Sequence, residues 1–362
     1  MPSIGATTIE IAAGKPSRTS LRSKGRTLES DFYLLELGGD GCVVRLLDKR
    51  HGREVIPDGE VANRLQLFQD GPERESAWNV HATFVKREYP WEGDCSVEIV
   101  EQGPVRAVAR VTRSHRNTKL VQDIILYEAM PRIDFKTHVE WHEKQTMLKV
   151  AFPLAIHASH ATFEVQFGAY ERPNHRNTSW EQEKFEVCAQ RWADLSEGGY
   201  GVSLLNDCKY GHDVLGNVLR LTLLRGTEYP DPEADQGSHD FTYSLLPHAG
   251  DWREGEAVRR AYELNAPLLA LPTTLEGSIQ YVSVTGPAVL ETLKPAEDGH
   301  GVIMRLYEPN GSRGAVTVEH RLPFAEVIAC SLVEENEGPV SFSDGKFSFP
   351  INPYQVRTFR LK

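Results

Sequence analysis

The run Asp134–Glu143 (DFKTHVEWHE) alternates strictly between two kinds of side chain. Phe135, Thr137, Val139 and Trp141 fall on one side, and Asp134, Lys136, His138, Glu140 and His142 on the other. A period of two is the pattern of an extended strand with one face toward a core. Leu120–Glu128 is also strand-like, and Met130-Pro131 between the two marks a turn, so the pair predicts a hairpin. Gly103-Pro104 ends another strand, after which Val105, Ala107, Ala109 and Val111 alternate with Arg106, Val108, Arg110 and Thr112. Further strands are expected near 32–37, 42–47, 148–156, 162–167, 185–190, 201–205, 217–224 and 240–245. Gly211–Gly216, with glycine at both ends, is expected to be a hairpin tip. Only Glu254–Leu264 (EGEAVRRAYEL) carries a helical pattern. Strand after strand with few helices between them predicts an all-β protein of antiparallel sheets packed face to face.

A chain of 362 residues is long enough for two or three domains. Residues 1–27 hold a strand, Thr7–Ile11, and a Gly-, Ser-, Lys- and Arg-rich linker, and the strand is assignable to the small sandwich at the other end. Residues 28–270 form the large sandwich. Ala266–Gly277 (APLLALPTTLEG) leads into short strands at 279–284, 302–307, 315–320, 347–351 and 355–361, so residues 271–362 make the small C-terminal β-sandwich.

A formal net charge of -11 without a basic stripe excludes nucleic acid and anionic membranes as partners. Five cysteines, widely spaced and without a C-x-x-C pair, predict buried thiols in a reducing cytoplasm rather than a disulfide framework or zinc knuckle. Neither a leader-like segment nor an apolar run of bilayer length is present.

His138, Glu140 and His142 share one strand face, a spacing that can hold zinc. Alternation alone already explains them as the polar side of the strand. H-E-x-x-H, H-x-D, G-x-S-x-G, P-loop and G-x-G-x-x-G patterns are absent, and carboxylates are too numerous for counting to select a glycosidase pair. Three segments are richer in mixed polar and aromatic groups than a solvated loop requires. Tyr170–Trp180 (YERPNHRNTSW) offers Arg172, His175, Arg176, Asn177 and Trp180; Asn206–Gly211 (NDCKYG) offers Asn206, Asp207, Lys209 and Tyr210; Tyr229–Gly237 (YPDPEADQG) offers Asp235. Amides, carboxylates and cations bond sugar hydroxyls directionally, while aromatic faces cover pyranose C–H surfaces. Turn chemistry and core packing account for each residue singly.

These segments carry a resemblance. Phe167–Trp180 (FGAYERPNHRNTSW), Phe185–Trp192 (FEVCAQRW), Ala193–Gly211 (ADLSEGGYGVSLLNDCKYG) and Pro232–His248 (PEADQGSHDFTYSLLPH) resemble glycoside hydrolase family 38, as do Asn63–Trp78 and Leu293–Tyr307. The resemblance is to the cytosolic, vacuolar and bacterial branch of its α-mannosidases. It implies a mutarotase-like supersandwich with a smaller C-terminal β-sandwich. It further implies an N-terminal α/β barrel outside this chain, carrying the nucleophile, the acid/base carboxylate and zinc, with no cofactor in the chain itself. On that basis the expected partners are α-mannosides and the barrel, and the isolated chain is expected to be inactive, a fragment of a longer enzyme. By position, Arg172, Asn177, Trp180, Asn206, Asp207, Lys209, Tyr210 and Asp235 are expected to bind or orient sugar, and no residue is assigned nucleophile or proton donor. The alternatives are a stand-alone carbohydrate-binding module and a mutarotase-like aldose epimerase, for which His138 and Glu140 make a poor pair because they point the same way. An exposed apolar or aromatic patch and self-association, as a homo-oligomer, are expected too.

Overall fold

The computed structural model describes residues 4–10, 18–72, 74–274 and 276–362. The hairpin read from the alternation is present: Thr118–Tyr127 and Ile133–Trp141 pair antiparallel, with Ile124 opposite Phe135 and Leu120 opposite Val139. Those four side chains are fully buried, as a period of two with one apolar side demands. The pair lies within a nine-stranded sheet, in the order 168–173, 160–165, 192–197, 200–206, 237–249, 133–141, 118–127, 106–115 and 95–102.

Across from it is a six-stranded sheet with Arg64–Gln69, Thr146–Pro153, Val218–Arg225 and Gly211–Leu215 at its centre. A five-stranded sheet runs from Arg22–Lys24 to Arg53–Glu54. One apolar core joins side chains of all three sheets, among them Leu35, Leu67, Phe135, Val150, Phe152, Leu204, Leu221 and Tyr243. This is the all-β supersandwich.

Residues separate into two compact units. The larger holds the three sheets above, apart from residues 164–170 of the nine-stranded one. The smaller comprises the first strand, Glu164–Tyr170 and Pro267–Lys362. Its four-stranded sheet places Ile4–Thr7 at the edge, beside Ser278–Thr285, and its five-stranded sheet includes Val302–Tyr307 and Val356–Leu361. A separate core built on Met304, Val316, Val318, Phe347 and Phe359 makes it a sandwich in its own right. Part of the expected N-terminal linker is strand: Arg22–Lys24 pairs with Thr27–Glu29 in a hairpin whose tip includes Gly25, at φ 61°. Residues 11–17, including Ile11 of the first strand candidate, lie outside the described residues.

Two expectations are corrected. Gly211–Leu215 is a strand, and the hairpin tip is the following pair, Gly216-Asn217, with φ 60° at Gly216. The positive φ that a two-residue turn needs falls at the second glycine of the run. Trp192–Glu197, absent from the expected strands, is a strand with Trp192, Ala193, Asp194 and Leu195 all buried. Asp194 inside breaks the apolar pattern that a sequence reading looks for. The helix expected over 254–264 forms at Ala257–Asn265.

The face of the six-stranded sheet turned from that core is charged. Lys149 alternates with buried Leu148 and Val150 and has no solvent exposure of its own. Its ammonium lies 2.6 Å from Glu186 and 2.8 Å from Asp213, with the Phe84 ring 4.9 Å away. Arg220 adds a second bond to Asp213 at 2.9 Å. This network ties the 84–88 and 185–188 segments to the sheet.

Candidate functional site

Gly226 opens the loop that carries the third sugar-type segment. A Cβ there would lie 1.9 Å from the Glu143 carbonyl, so only glycine lets the chain pass. The loop then folds against residues 70–79, and Arg225 joins the two. Its Nε donates to Asp70 Oδ2 at 2.6 Å and its Nη2 to the carbonyls of Ser76 (3.0 Å) and Asn79 (2.8 Å), while its backbone N–H donates to Asp235 Oδ2 at 3.0 Å. Asp70 is buried, and burial lifts its carboxyl above the usual range even beside the guanidinium. Ser76 Oγ accepts the N–H groups of Glu228 and Tyr229, and the Ala77 N–H donates to the Tyr229 carbonyl. Gln145 bonds Glu228, Lys144 bonds Glu233, and Gln236 bonds the Glu143 carbonyl. On this scaffold Trp78 (68% exposed) and Tyr229 (54% exposed) meet edge to face at 6.1 Å. Large aromatic surface left in water on a loop held this firmly is a recognition feature.

The second segment sits beside the Phe241–Tyr243 stretch of the strand Gly237–Ala249. Asp207 exchanges bonds with Thr242, through its backbone N–H at 3.1 Å and its Oδ2 at 2.9 Å; Oδ1 is buried with no partner among the described residues. The Lys209 ammonium lies 4.6 Å over the Phe241 ring, and Tyr210 is exposed. Asn206 is corrected from ligand contact to scaffold. It is buried, its amide donates to the Gln190 carbonyl and its Oδ1 accepts the Lys209 N–H, so both ends of its side chain hold the turn.

The first segment divides. Arg172 is half-buried in the strand Gly168–Pro173, and Asn174 bonds the carbonyls of Ala158 and Gly216. Thr178 caps the short helix Ser179–Glu183 in a capping box, to which Asn177 lends its backbone N–H, and Trp180 on its first turn is exposed. The chain returns through Val187–Cys188, where the Ala189 N–H reaches the Tyr210 carbonyl. Asp207, Lys209 and Tyr210 thus follow Asn206 in the turn beside Phe241–Tyr243, Asp235 stands apart on the Arg225 loop before Gly237, and Arg172 lies within its own strand. Sequence reasoning missed Arg225, Asp70 and Trp78. Trp78 was legible only as the close of the Asn63–Trp78 run that carried the resemblance.

His138 points between Asp240 (3.0 Å) and Glu140 (3.1 Å). Among the described residues no three His, Cys, Asp or Glu groups converge on a point, so His138, Glu140 and His142 do not fit zinc.

His212 buttresses the Tyr210 turn from inside the core. One ring nitrogen donates to the Tyr210 carbonyl at 3.2 Å, the other is buried without a partner among the described residues, and burial pushes its pKa down to about 4. The unfolded chain takes up this proton near pH 6.5, before the folded one does. Stability carried by neutral His212 is therefore present above about pH 6.5 and falls as pH drops toward 4, by about 3 kcal/mol in full. Urea midpoints across that window should show His212→Leu with a flatter acid limb than the parent. An unchanged limb would remove His212 from the account.

The architecture is that of a β-supersandwich module with a second small sandwich, presenting polar and aromatic loops at one end. Residues 28–233 match the family described as "Glycosyl hydrolases family 38 C-terminal domain" and residues 287–359 that described as "Glycosyl hydrolases family 38 C-terminal beta sandwich domain". The chain belongs to glycosyl hydrolase family 38, of which it holds the C-terminal domains. It is 39% identical over 346 residues to "Alpha-mannosidase 2C1" of Mus musculus, covering 92% of this chain and 33% of that protein. "Alpha-mannosidase G" of Dictyostelium discoideum is 35% identical, over 100% of this chain and 36% of its own length. An α-mannosidase structure from Enterococcus faecalis V583 shares the fold, with a TM-score of 0.75 at 16% identity over 96% of this chain and 43% of that one. The chain thus spans about a third of the length of the curated relatives it matches.

Proposed function

We propose that this chain is the β-sandwich wall of an enzyme that hydrolyses terminal α-mannosides with retention. Catalytic carboxylates and zinc would belong to a barrel corresponding to a part of the relatives that this chain does not match. The observation that carries the reading is the Arg225-held pairing of the 70–79 and 226–236 loops, in a chain 39% identical to part of a protein named as an α-mannosidase. In this reading Lys209, Tyr210 and Asp235 orient the sugar. Trp78 and Tyr229 cover its apolar face, and no residue here attacks the glycosidic bond. Carbohydrate binding and mannose metabolism follow as the chain's role. A reducing cytoplasm suits five cysteines that are all unpaired. No described helix is long and apolar enough to cross a membrane. Self-association through the exposed aromatics would make the isolated chain a homo-oligomer, to be read by light scattering.

The test is turnover of p-nitrophenyl α-mannoside by the purified chain, with zinc or cobalt supplied. No turnover is expected alone, and activity is expected on adding the barrel portion of a relative. Turnover by the chain alone, abolished by Asp235→Ala, would overturn the proposal.

A further inference from the structure

Strand Tyr200–Asn206 has two ends. Asn206 leads to the Tyr210 turn; Tyr200 pairs with Ala249, roughly 20 Å away along the strand, where the Gly250 N–H bonds the Gly199 carbonyl. At this second end lies a cavity of about 680 Å³, inside the roughly 300–1,000 Å³ range of small-molecule sites. None of the eight residues expected from sequence to bind or orient sugar lines it. Three residues of the Tyr170–Trp180 segment do: Glu171, Asn174 and His175 face it, together with His157, His160 and Arg253.

The wall is firmly built. Asp194, 1% exposed, accepts from Ser203 at 2.7 Å and Ser196 at 2.5 Å and lies 2.8 Å from His248 Nε2. Gly201 and Gly255 hold His248 closely, since a Cβ on either would lie within 2.5 Å of its ring. Glu197 is taken by Arg53 and the His157 N–H, and Asp251 by Arg253 at 2.6 Å. Carboxylates thus line the wall beside the arginine, which is unfavourable to a phosphate or another anion. The three histidines do not converge with a fourth group as metal ligands would. Ser159, Asn174 and Glu171 line the space with them; Ser159 bonds His160 and Asn174 donates to two backbone carbonyls, so Glu171 and the imidazoles supply the polar contacts. An apolar ligand would leave those groups unpaired.

We propose that this cavity binds a neutral polyhydroxylated ligand of monosaccharide size. Several hydroxyls, each able to donate, match a wall rich in carboxylate and imidazole acceptors, with Arg253 beside them as a donor.

The full chain is to be titrated with methyl α-D-mannopyranoside, D-glucose and inorganic phosphate, followed by saturation-transfer NMR and calorimetry. At least one sugar is expected to bind saturably and phosphate not. His157→Ala with Glu171→Ala, both at exposed positions, should weaken binding about tenfold or more with the thermal midpoint unchanged. Ser159→Phe, which fills space instead of removing bonds, should do the same, and Tyr210→Ala should leave binding intact. No saturable binding of either sugar, binding of phosphate instead, or sugar binding lost with Tyr210→Ala but kept in the cavity variants would each overturn the proposal. Its failure would leave the mannosidase reading untouched, because that reading rests on the opposite end of the strands.

Discussion

Arg225→Met is expected to cost about 3–5 kcal/mol of stability and to loosen the candidate site, because it leaves the buried Asp70 carboxylate and two loop carbonyls without their donor. Methionine keeps much of the stem's apolar packing, so the loss reports the guanidinium. Arg225→Lys should recover only part of it, since an ammonium cannot reach Asp70 and both carbonyls in the planar fork geometry that arginine uses. Urea unfolding gives the stability change, and Trp78 fluorescence gives the loosening. Arg225→Met should redden and broaden that emission under native conditions, and Trp78→Phe should remove the change. A stability loss under about 1 kcal/mol, the size of an exposed pair, would mean that Arg225 does not hold these loops.

Lys149→Met is expected to be as costly, about 3–5 kcal/mol, for a related reason in a different place. Glu186 and Asp213 would face each other across a methionine with only Arg220 and Thr222 to answer them. The ammonium holds Glu186 and lies against the Phe84 ring, so its loss should fall on the 84–88 and 185–188 segments. Hydrogen exchange should rise there first. The triple variant Lys149→Met, Glu186→Gln, Asp213→Asn should regain much of the loss, because neutral groups need less compensation in a buried site. If the single variant is as stable as the parent, the ammonium is not needed to neutralise the pair.

The two arginine and lysine networks show why the candidate site was only partly legible. Arg225 meets Asp70 across 155 residues of chain, and Lys149 meets Asp213 across 64. Neither spacing leaves a trace in local pattern, because the partners adjoin only once the sheet has paired. Turn-forming residues were readable as loops, but Asn206 reads the same whether its amide faces a ligand or, as here, the Gln190 carbonyl. The Tyr170–Trp180 segment looked like one unit and proved to divide, running as strand to Pro173, past the cavity at Asn174 and His175, and into a short capped helix at Ser179. Trp192–Glu197 was missed because Asp194 is paired with His248, and that pairing is tertiary.

What the sequence determined alone is the kind of structure: period-two alternation, a property of the extended backbone itself, dictates strands, their buried faces and the hairpin of Thr118–Tyr127 with Ile133–Trp141. The runs quoted for family resemblance also stood in the sequence unaided. Only the tertiary structure decided which polar groups are free to act. A side chain's availability depends on what comes to lie beside it, and at Asn206, Asp70 and Asp194 those neighbours arrive from distant strands.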